Sequence, residues 1–233
     1  MKRDNWVSFL PYYLLVLILG IGIAYAGERS VNSLSTVTAA EEHCFIIDAG
    51  HGGIDGGATS CTGVLESQIN LEIAVRLNDL FRFLGYKTVM VRTTDTSIYT
   101  SGNTIAAQKL SDLKERVRIV NKDDENILIS VHQNTFSNQK YSGAQVFYSQ
   151  SEGSKVLADT VQSALVTALN PNSRRTAKKG EGIYLLQHIE RPGILIECGF
   201  LSNVQEEALL RSGAYQKKLC GVIATSISRG IHT

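Results

Sequence analysis

The chain has 233 residues, of which 43% are hydrophobic and 19% are charged, and its formal net charge at pH 7 is +1. This length accommodates one domain with a sizeable core and short appendages. The near-zero charge gives no indication of a nucleic-acid partner, and the ordinary hydrophobic content excludes an intrinsically disordered chain.

Residues 1–26 are predicted to be a signal peptide or an N-terminal membrane anchor. A Lys-Arg pair precedes an apolar run that ends at Ala26, and this basic flank is expected to remain cytoplasmic. The sequence Ala-Tyr-Ala at 24–26 is typical of a cleavage site, whereas an apolar run of about 20 residues is also long enough to stay in a membrane. Both interpretations put the rest of the chain outside the cytoplasm, with the membrane contacted only through this segment.

Residues 27–42 are polar and aperiodic and are predicted to be a linker to a single folded domain over residues 43–233. Within this domain, short β-branched runs alternate with helical patterns, which is typical of an α/β sheet with crossover helices. The predicted strands are Cys44–Asp48, Lys87–Arg92, Asn126–Val131, Ala144–Tyr148 and Gly193–Glu197. The predicted helices are Glu66–Phe83, Leu110–Asn121, Ser154–Leu169 and Gly213–Arg229.

Local signals refine these boundaries. Gly85 is expected to end the first helix, and Asn203 is expected to cap a short helix that begins at Val204. Two polar segments, 94–108 and 170–181, match no element and are predicted to be surface loops. Long loops above a rigid α/β sheet often border an active site.

Four residues far apart in sequence stand at the ends of predicted elements. His51, His132 and Glu197 each follow an apolar strand, and Glu66 opens a helix. Because open α/β sheets bind ligands beyond the carboxyl ends of their strands, these side chains are candidates for one site. Two imidazoles and one carboxylate form a three-ligand site for a catalytic zinc ion with one position open for water, and a further carboxylate is available as general base. The pattern indicates metal-assisted hydrolysis.

Each of the four residues also has an ordinary alternative. His51 lies among glycines that are typical of a tight turn, and Glu66 lies where a helix dipole favours any carboxylate. His132 could be a core histidine with satisfied hydrogen bonds. Glu197 could form a structural salt bridge, although a carboxylate after an apolar strand is costly to bury without a partner.

The four cysteines do not form a metal-binding pattern. Cys44, Cys61, Cys198 and Cys220 show no C-x-x-C spacing, which argues against a cysteine zinc site. Cys44 and Cys198 lie in apolar runs and are predicted to be core residues, whereas Cys61 is expected to be exposed. The sequence leaves the disulfide state open.

The motifs around the four residues occur in the order of a known family. They are Asp48-Ala-Gly-His51-Gly-Gly-x-Asp55, Gly63-x-x-Glu66-x-x-x-Asn70, Arg92-Thr93-x-Asp95, Ser130-x-His132-x-Asn134 and Pro192-x-x-x-x-Glu197-x-Gly199-Phe200. From about residue 44 to the C-terminus, the chain resembles zinc-dependent N-acetylmuramoyl-L-alanine amidases of the amidase_3 class. One departure is that Gln133 and Thr135 flank the His-x-Asn motif, where smaller or apolar residues are expected.

The resemblance implies a fold, a reaction and a role for each site residue. The fold would be a single α/β domain with a mixed, mostly parallel sheet flanked by helices, a sandwich akin to zinc carboxypeptidases. The reaction would be hydrolysis of the peptidoglycan amide between N-acetylmuramic acid and the L-alanine of the stem peptide. His51, Glu66 and His132 would hold Zn²⁺, and Glu197 would be the catalytic carboxylate.

Within the family, the chain is most similar to the germination-specific amidases of spore-forming bacteria. The small size, the N-terminal apolar segment, the segment 111–117 and the lack of a wall-binding repeat favour this subgroup. The resemblance then implies a role in spore cortex maturation through muramic-δ-lactam, in a compartment between the forespore and mother-cell membranes. It also implies control by a protein partner or by localisation.

Two other functions remain open from the residues. One is a non-catalytic protein that binds or assembles the cell wall and retains the fold. The other is a zinc peptidase or deacetylase that uses similar ligands on a different bond.

Overall fold

The computed structural model of the protein describes residues 43–230. The predicted signal peptide or anchor at 1–26 and the predicted linker at 27–42 lie outside the described residues, as do residues 231–233. Within residues 43–230, no helix combines the length and apolar character needed to cross a membrane. The domain boundaries proposed from the sequence therefore stay a prediction.

The described chain forms six strands and six helices. The strands are β1 (Cys44–Ala49), β2 (Lys87–Met90), β3 (Asn126–Asn134), β4 (Gln145–Tyr148), β5 (Lys178–Lys179) and β6 (Gly193–Phe200). The helices are α1 (Glu66–Phe83), α2 (Ile105–Val120), α3 (Ser154–Leu169), α4 (Tyr184–His188), α5 (Val204–Leu210) and α6 (Gly213–Gly230).

All six strands belong to one sheet in the order β2-β1-β3-β6-β4-β5. The β1–β2, β1–β3, β3–β6 and β4–β5 pairs are parallel, and only the β4–β6 pair is antiparallel. This mixed, mostly parallel sheet with flanking helices confirms the predicted α/β fold.

Successive side chains of β1 point to opposite faces of the sheet, and helices cover both faces. Phe45 stacks against Phe81 of α1, with 4.4 Å between ring centroids. Ile46, the next residue, belongs to a buried cluster on the other face with Val120 of α2 and Leu185 of α4. A strand that is buried on both faces is apolar along most of its length, and β1 is apolar apart from Asp48, which is why the first strand was predictable.

Several predicted boundaries are confirmed. The α1 and α3 bounds are as predicted. Gly85 follows the C-cap residue Leu84 of α1 and adopts a φ of +91°, which is the left-handed conformation that a helix-ending glycine supplies. Asn203 accepts a hydrogen bond from the backbone N–H of Glu206 and caps α5.

Other predicted boundaries are wrong. Helix α2 begins at Ile105 rather than Leu110, with the Thr104 side chain accepting a hydrogen bond from the Ala107 N–H, so the loop that starts at residue 94 ends at 104. The first turn of α2 is exposed and therefore carries no amphipathic pattern. The segment 170–181 contains β5, whose two residues pair with β4, and α4 was not predicted because five residues are too few to show a helical period.

Candidate metal centre

The fold brings the predicted residues to one edge of the sheet. β1, β3 and β6 are neighbours and run parallel, so their carboxyl ends meet at the same edge. His51 lies two residues beyond β1, and His132 and Glu197 are register partners on β3 and β6. Glu66 is the first residue of α1, whose N-terminus lies at this edge.

His51, Glu66 and His132 form a compact cluster. Their candidate ligand atoms all lie within 4.8 Å of one another. Glu66 Oε2 is 3.3 Å from His51 Nε2, and Glu66 Oε1 is 3.0 Å from His132 Nδ1. The two imidazole rings meet edge to face, with 5.0 Å between centroids. Two nitrogens and one carboxylate converging on one point match the donor set that a catalytic zinc ion takes.

The Glu66 carboxylate is buried and held by several donors. Oε2 accepts a hydrogen bond from the Ala58 N–H at 2.9 Å, and Oε1 accepts bonds from the Gln133 N–H at 3.1 Å and Asn70 Nδ2 at 3.2 Å. Burial opposes ionisation, but the hydrogen bonds and charges of His132 and His51 outweigh it and hold the pKa of Glu66 well below its usual range. Glu66 therefore presents a fixed negative charge.

His51 is oriented by Asp55 on its other ring nitrogen. Asp55 Oδ2 lies 2.8 Å from His51 Nδ1, and Lys109 Nζ lies 2.6 Å from Asp55 Oδ1. A carboxylate on the far nitrogen fixes the ring and the tautomer of a metal-binding histidine. Burial lowers the pKa of His51, but the hydrogen bonds and charges of Glu66 and Asp55 outweigh this and raise the pKa to about 9.

Two buried guanidinium groups hold the turn that carries His51. Arg92 donates to the Gly50 carbonyl at 3.0 Å, and Arg116 donates to the His51 carbonyl at 2.8 Å. Arg116 also forms an ion pair with Asp48, which accepts a hydrogen bond from Ser130 Oγ at 2.6 Å. His51 has a φ of 61°, an uncommon conformation for a residue other than glycine, and these contacts stabilise it.

Two glycines leave room for the cluster. A Cβ at Gly50 would lie 2.1 Å from the His132 ring, so any side chain there would displace the imidazole. A Cβ at Gly57, whose φ is +67°, would lie 2.6 Å from Glu66 Oε2. Gly50 and Gly57 are thus explained by close packing against the candidate ligands.

Glu197 differs from the other three residues. Its Oε2 is buried and has no hydrogen-bond partner among the described residues. Burial raises the pKa of Glu197 to about 7, and the nearby Glu66 carboxylate adds to the increase. A buried carboxylate without a partner, beside a cluster of metal-binding side chains, fits a site that receives a metal ion and a reacting water.

A cleft of about 300 Å³ opens next to the cluster. His51, His132, Lys109 and Tyr184 are among its lining residues. From the first long loop, Ser97 Oγ donates to the Gly52 carbonyl at 2.6 Å, so that loop does border the site, as predicted.

The supporting contacts were not predictable as such. Asp48, Asp55, Asn70 and Arg92 stand in the recognised motifs. Asp55 and Asn70 contact site residues four positions away, whereas Asp48 and Arg92 bind groups more than 40 residues away. Gln133, noted as a departure, donates from Nε2 to Asn70 Oδ1 at 3.2 Å and so supports Glu66 indirectly.

The cysteines are all free among the described residues. Cys61 is exposed and Cys198 is buried, as predicted, and Cys220 is also buried. Cys44 is only partly buried, because it is the first residue of its strand.

Comparison with known proteins agrees with this fold. The sequence profile of Amidase_3, described as N-acetylmuramoyl-L-alanine amidase, matches residues 45–229. The germination-specific N-acetylmuramoyl-L-alanine amidase of Bacillus subtilis (strain 168) is 37% identical over 233 residues, covering 99% of this chain and 94% of the relative.

Two solved structures show the same architecture. The CwlD amidase from Clostridioides difficile, in complex with the GerS lipoprotein, superposes with a TM-score of 0.78 at 36% identity, covering 82% of this chain and 98% of that one. The catalytic domain of CwlV, an N-acetylmuramoyl-L-alanine amidase from Bacillus (Paenibacillus) polymyxa, gives a TM-score of 0.67 at 25% identity, covering 80% and 97%.

The α/β fold and a His/Glu/His cluster at the carboxyl edge of the sheet define a hydrolase with a candidate metal centre. The chain belongs to the Amidase_3 family of N-acetylmuramoyl-L-alanine amidases, and the family predicted from the motifs is confirmed.

Proposed function

We propose that the protein is a zinc-dependent amidase that hydrolyses the bond between N-acetylmuramic acid and the L-alanine of the stem peptide in peptidoglycan. His51, Glu66 and His132 would hold the zinc ion. The observation that carries the proposal is the convergence of their ligand atoms within 4.8 Å, next to the buried and unpartnered carboxylate of Glu197. When bound, zinc would act as a Lewis acid toward the scissile carbonyl and favour ionisation of the attacking water.

Glu197 would move the proton in this reaction. Its pKa of about 7 allows it to accept a proton from the attacking water and then to donate that proton to the departing amine of L-alanine. The carbonyl carbon gains the water oxygen, the carbon–nitrogen bond breaks, and the amine nitrogen leaves with the transferred proton. The products are a free muramic carboxyl group and a complete stem peptide.

The remaining residues would hold this geometry. Asp55 orients His51 through Nδ1, and Lys109 balances the charge of Asp55. Asn70 and the backbone N–H groups of Ala58 and Gln133 fix Glu66. Preorganised ligands reduce the reorganisation that binding and reaction require.

Mass spectrometry of digested peptidoglycan tests the reaction. Protein recovered from sporulating cells together with any bound partner should release intact stem peptides and leave peptide-free glycan, and a chelator should abolish this release until Zn²⁺ is restored. Cleavage within the stem peptide or loss of acetyl groups would instead identify a peptidase or a deacetylase. A protein that contains no zinc and releases nothing would be a wall-binding protein with an amidase fold.

We further propose that the enzyme acts in spore cortex maturation and is located outside the cytoplasm. An activating protein partner would control it. Support comes from similarity to a germination-specific relative over 99% of the chain and to a structure solved in complex with a lipoprotein. Deletion in the sporulating host should remove muramic-δ-lactam from the cortex, and the wild-type gene, but not the Glu197→Gln gene, should restore it.

Location and partner require separate measurements. A tagged chain produced in non-sporulating cells, which have no enclosed forespore, should be digested by protease added outside intact protoplasts. Crosslinking followed by purification from sporulating cells should recover a second protein in constant proportion. Cytoplasmic protection would contradict the location, and full activity of the purified chain alone would contradict the need for a partner.

A further inference from the structure

We infer that Phe136 and Tyr141 form a sugar-binding platform at the rim of the metal centre. The platform would stack against the apolar face of a pyranose ring in the glycan strand, next to the muramoyl residue that is cleaved. This inference rests on the proposed function, and it adds a binding site for the polymer to the catalytic site.

The two rings are exposed and close to the site. Phe136 is 52% exposed and Tyr141 is 47% exposed, on the loop that joins β3 to β4. Phe136 follows His132 by four residues in a segment that leaves the carboxyl end of β3. At about 3.3 Å per extended residue, the two positions are separated by at most about 13 Å. The backbone of Phe136 is therefore close enough to that of His132 for one bound polymer to span both positions.

The two rings are also held in place by packing against each other and against a buried ring. Phe136 packs edge to face on Tyr141, with 4.8 Å between centroids, and Tyr141 stacks on the buried Phe200 at 6.1 Å. The Arg175 guanidinium lies over the same Phe200 ring, 5.3 Å from its centroid. Phe200 ends β6, the strand that carries Glu197, so the platform and the catalytic carboxylate share a rigid support.

The loop itself is anchored at three points. The Phe136 N–H donates to Ser202 Oγ at 3.1 Å, and Asn203 Nδ2 donates to the Gln139 carbonyl at 2.9 Å. The Gly143 N–H donates to Glu206 Oε1 at 2.6 Å. Exposed rings on an anchored loop lose little conformational freedom when a ligand stacks on them.

The surroundings favour a sugar over a protein surface. Apart from the two rings, residues 135–143 are hydroxyl, amide, lysine and glycine residues: Thr135, Ser137, Asn138, Gln139, Lys140, Ser142 and Gly143. Two aromatic faces within a border of hydrogen-bonding groups suit a ring that has apolar C–H groups on its face and hydroxyls around its edge. A hydrophobic protein contact would require a broader apolar patch.

The test is sedimentation of the full-length protein with insoluble peptide-free glycan in the presence of a chelator, so that binding is measured without catalysis. The double variant F136A/Y141A should bind about tenfold more weakly than wild type, the ratio that corresponds to one lost stacking interaction. Phe83→Ala is the matched control and should bind as wild type. Phe83 is 86% exposed but lies at the far end of α1, about 26 Å from Glu66 along the helix.

Two further variants separate stacking from general hydrophobic contact. F136L/Y141L keeps apolar side chains without aromatic faces and should lose binding like the alanine pair, whereas Tyr141→Phe should retain it. Thermal melting shows whether each variant is folded. Unchanged glycan binding by a folded F136A/Y141A protein overturns the platform, as does normal binding by the leucine pair, which would indicate general hydrophobic contact with the glycan instead of stacking.

A second measurement keeps this inference distinct from the proposed function. F136A/Y141A should need about tenfold more polymeric peptidoglycan for half-maximal release of stem peptides, while hydrolysis of a muramoyl peptide with a single sugar stays unchanged. Wild-type protein that binds glycan through the rings but releases no stem peptide would refute the proposed function alone. Active protein whose glycan binding is unchanged by F136A/Y141A would refute the platform alone.

Discussion

The two sides of the candidate metal centre differ in the surroundings of their carboxylates, Glu66 and Glu197. On the β1–α1 side, Glu66 receives hydrogen bonds from Ala58, Asn70 and Gln133 and contacts both imidazoles. On the β6 side, Glu197 is buried with an unpartnered Oε2. The pKa of Glu66 is held well below its usual range, whereas burial raises the pKa of Glu197 to about 7. Equal chemical groups thus have pKa values shifted in opposite directions by their surroundings, which fits the proposed roles of a fixed charge and an exchangeable proton.

Among the substitutions that distinguish the two carboxylates, Glu197→Gln should have the largest effect. The amide cannot take the proton of the attacking water, so turnover on peptidoglycan should fall by about 10²–10⁴-fold. Zinc content measured by atomic absorption should stay at one ion per chain, because the three proposed ligands are untouched. Normal release of stem peptides by this variant would remove Glu197 from the mechanism.

The next largest effect should come from Asp48→Asn on the β1–α1 side. Arg116 and Asp48 are both almost fully buried, and removal of the Asp48 charge leaves Arg116 with one carboxylate partner, Asp112, instead of two. The free energy of unfolding should fall by about 3 kcal/mol in urea denaturation.

A matched control is Asp159→Asn, which breaks the exposed pair with Lys155. That substitution should cost less than about 1 kcal/mol. Equal costs for the two variants would show that the buried pair does not hold the His51 turn.

In zinc-free protein, the pH dependence of stability should reveal the raised pKa of Glu197. The pKa of Glu197 is raised from 4.5 to about 7 on folding, so the folded state binds the proton more tightly than the unfolded state. Stability should therefore decrease as pH rises from 4.5 to 7, and the penalty should be constant above that range.

Glu197→Gln removes this penalty. In chelator, the variant should match wild type below pH 4.5 and exceed its free energy of unfolding by up to about 3 kcal/mol above pH 7. Parallel stability curves for the two proteins between pH 4 and 8 would contradict an unpartnered buried carboxylate.

The smallest effect should follow from Gly50→Ala, which tests how closely the ligands are packed. The added methyl group would meet the His132 ring, so zinc affinity should fall by about 10–100-fold in competition with a chromogenic chelator. Gly221→Ala is the control, since a Cβ there meets nothing within 4 Å and alanine favours the helix α6. Unchanged affinity in the Gly50 variant would mean that His132 can move without cost.

The fold was largely predictable because its signals are local. Helix α1 shows an apolar period from its first to its last residue and ends at a glycine with positive φ, and its predicted bounds are confirmed. Helix α2 was predicted too short, because an exposed first turn with Ile105 on the surface has no amphipathic pattern.

The site was predictable in its residue types but not in its support. His51, Glu66 and His132 were expected to converge, and their positions agree with that expectation, while their binding of zinc stays a prediction. Arg116 lies within a helix whose charges would ordinarily be solvated, and nothing local indicates that it reaches Asp48, 68 residues away. Such contacts depend on the packing of α2 against the sheet.

The position of β6 within the sheet has a consequence for the order in which activity arises. β3 and β4 follow each other in the chain, yet β6, the last strand, lies between them. The three candidate ligands are complete in sequence by residue 132, but Glu197 arrives only when β6 inserts into the gap. Such non-local pairing is slow compared with local contacts. A partly folded or truncated chain could therefore capture metal without acquiring proton transfer, and hydrolytic activity would mark the completed sheet.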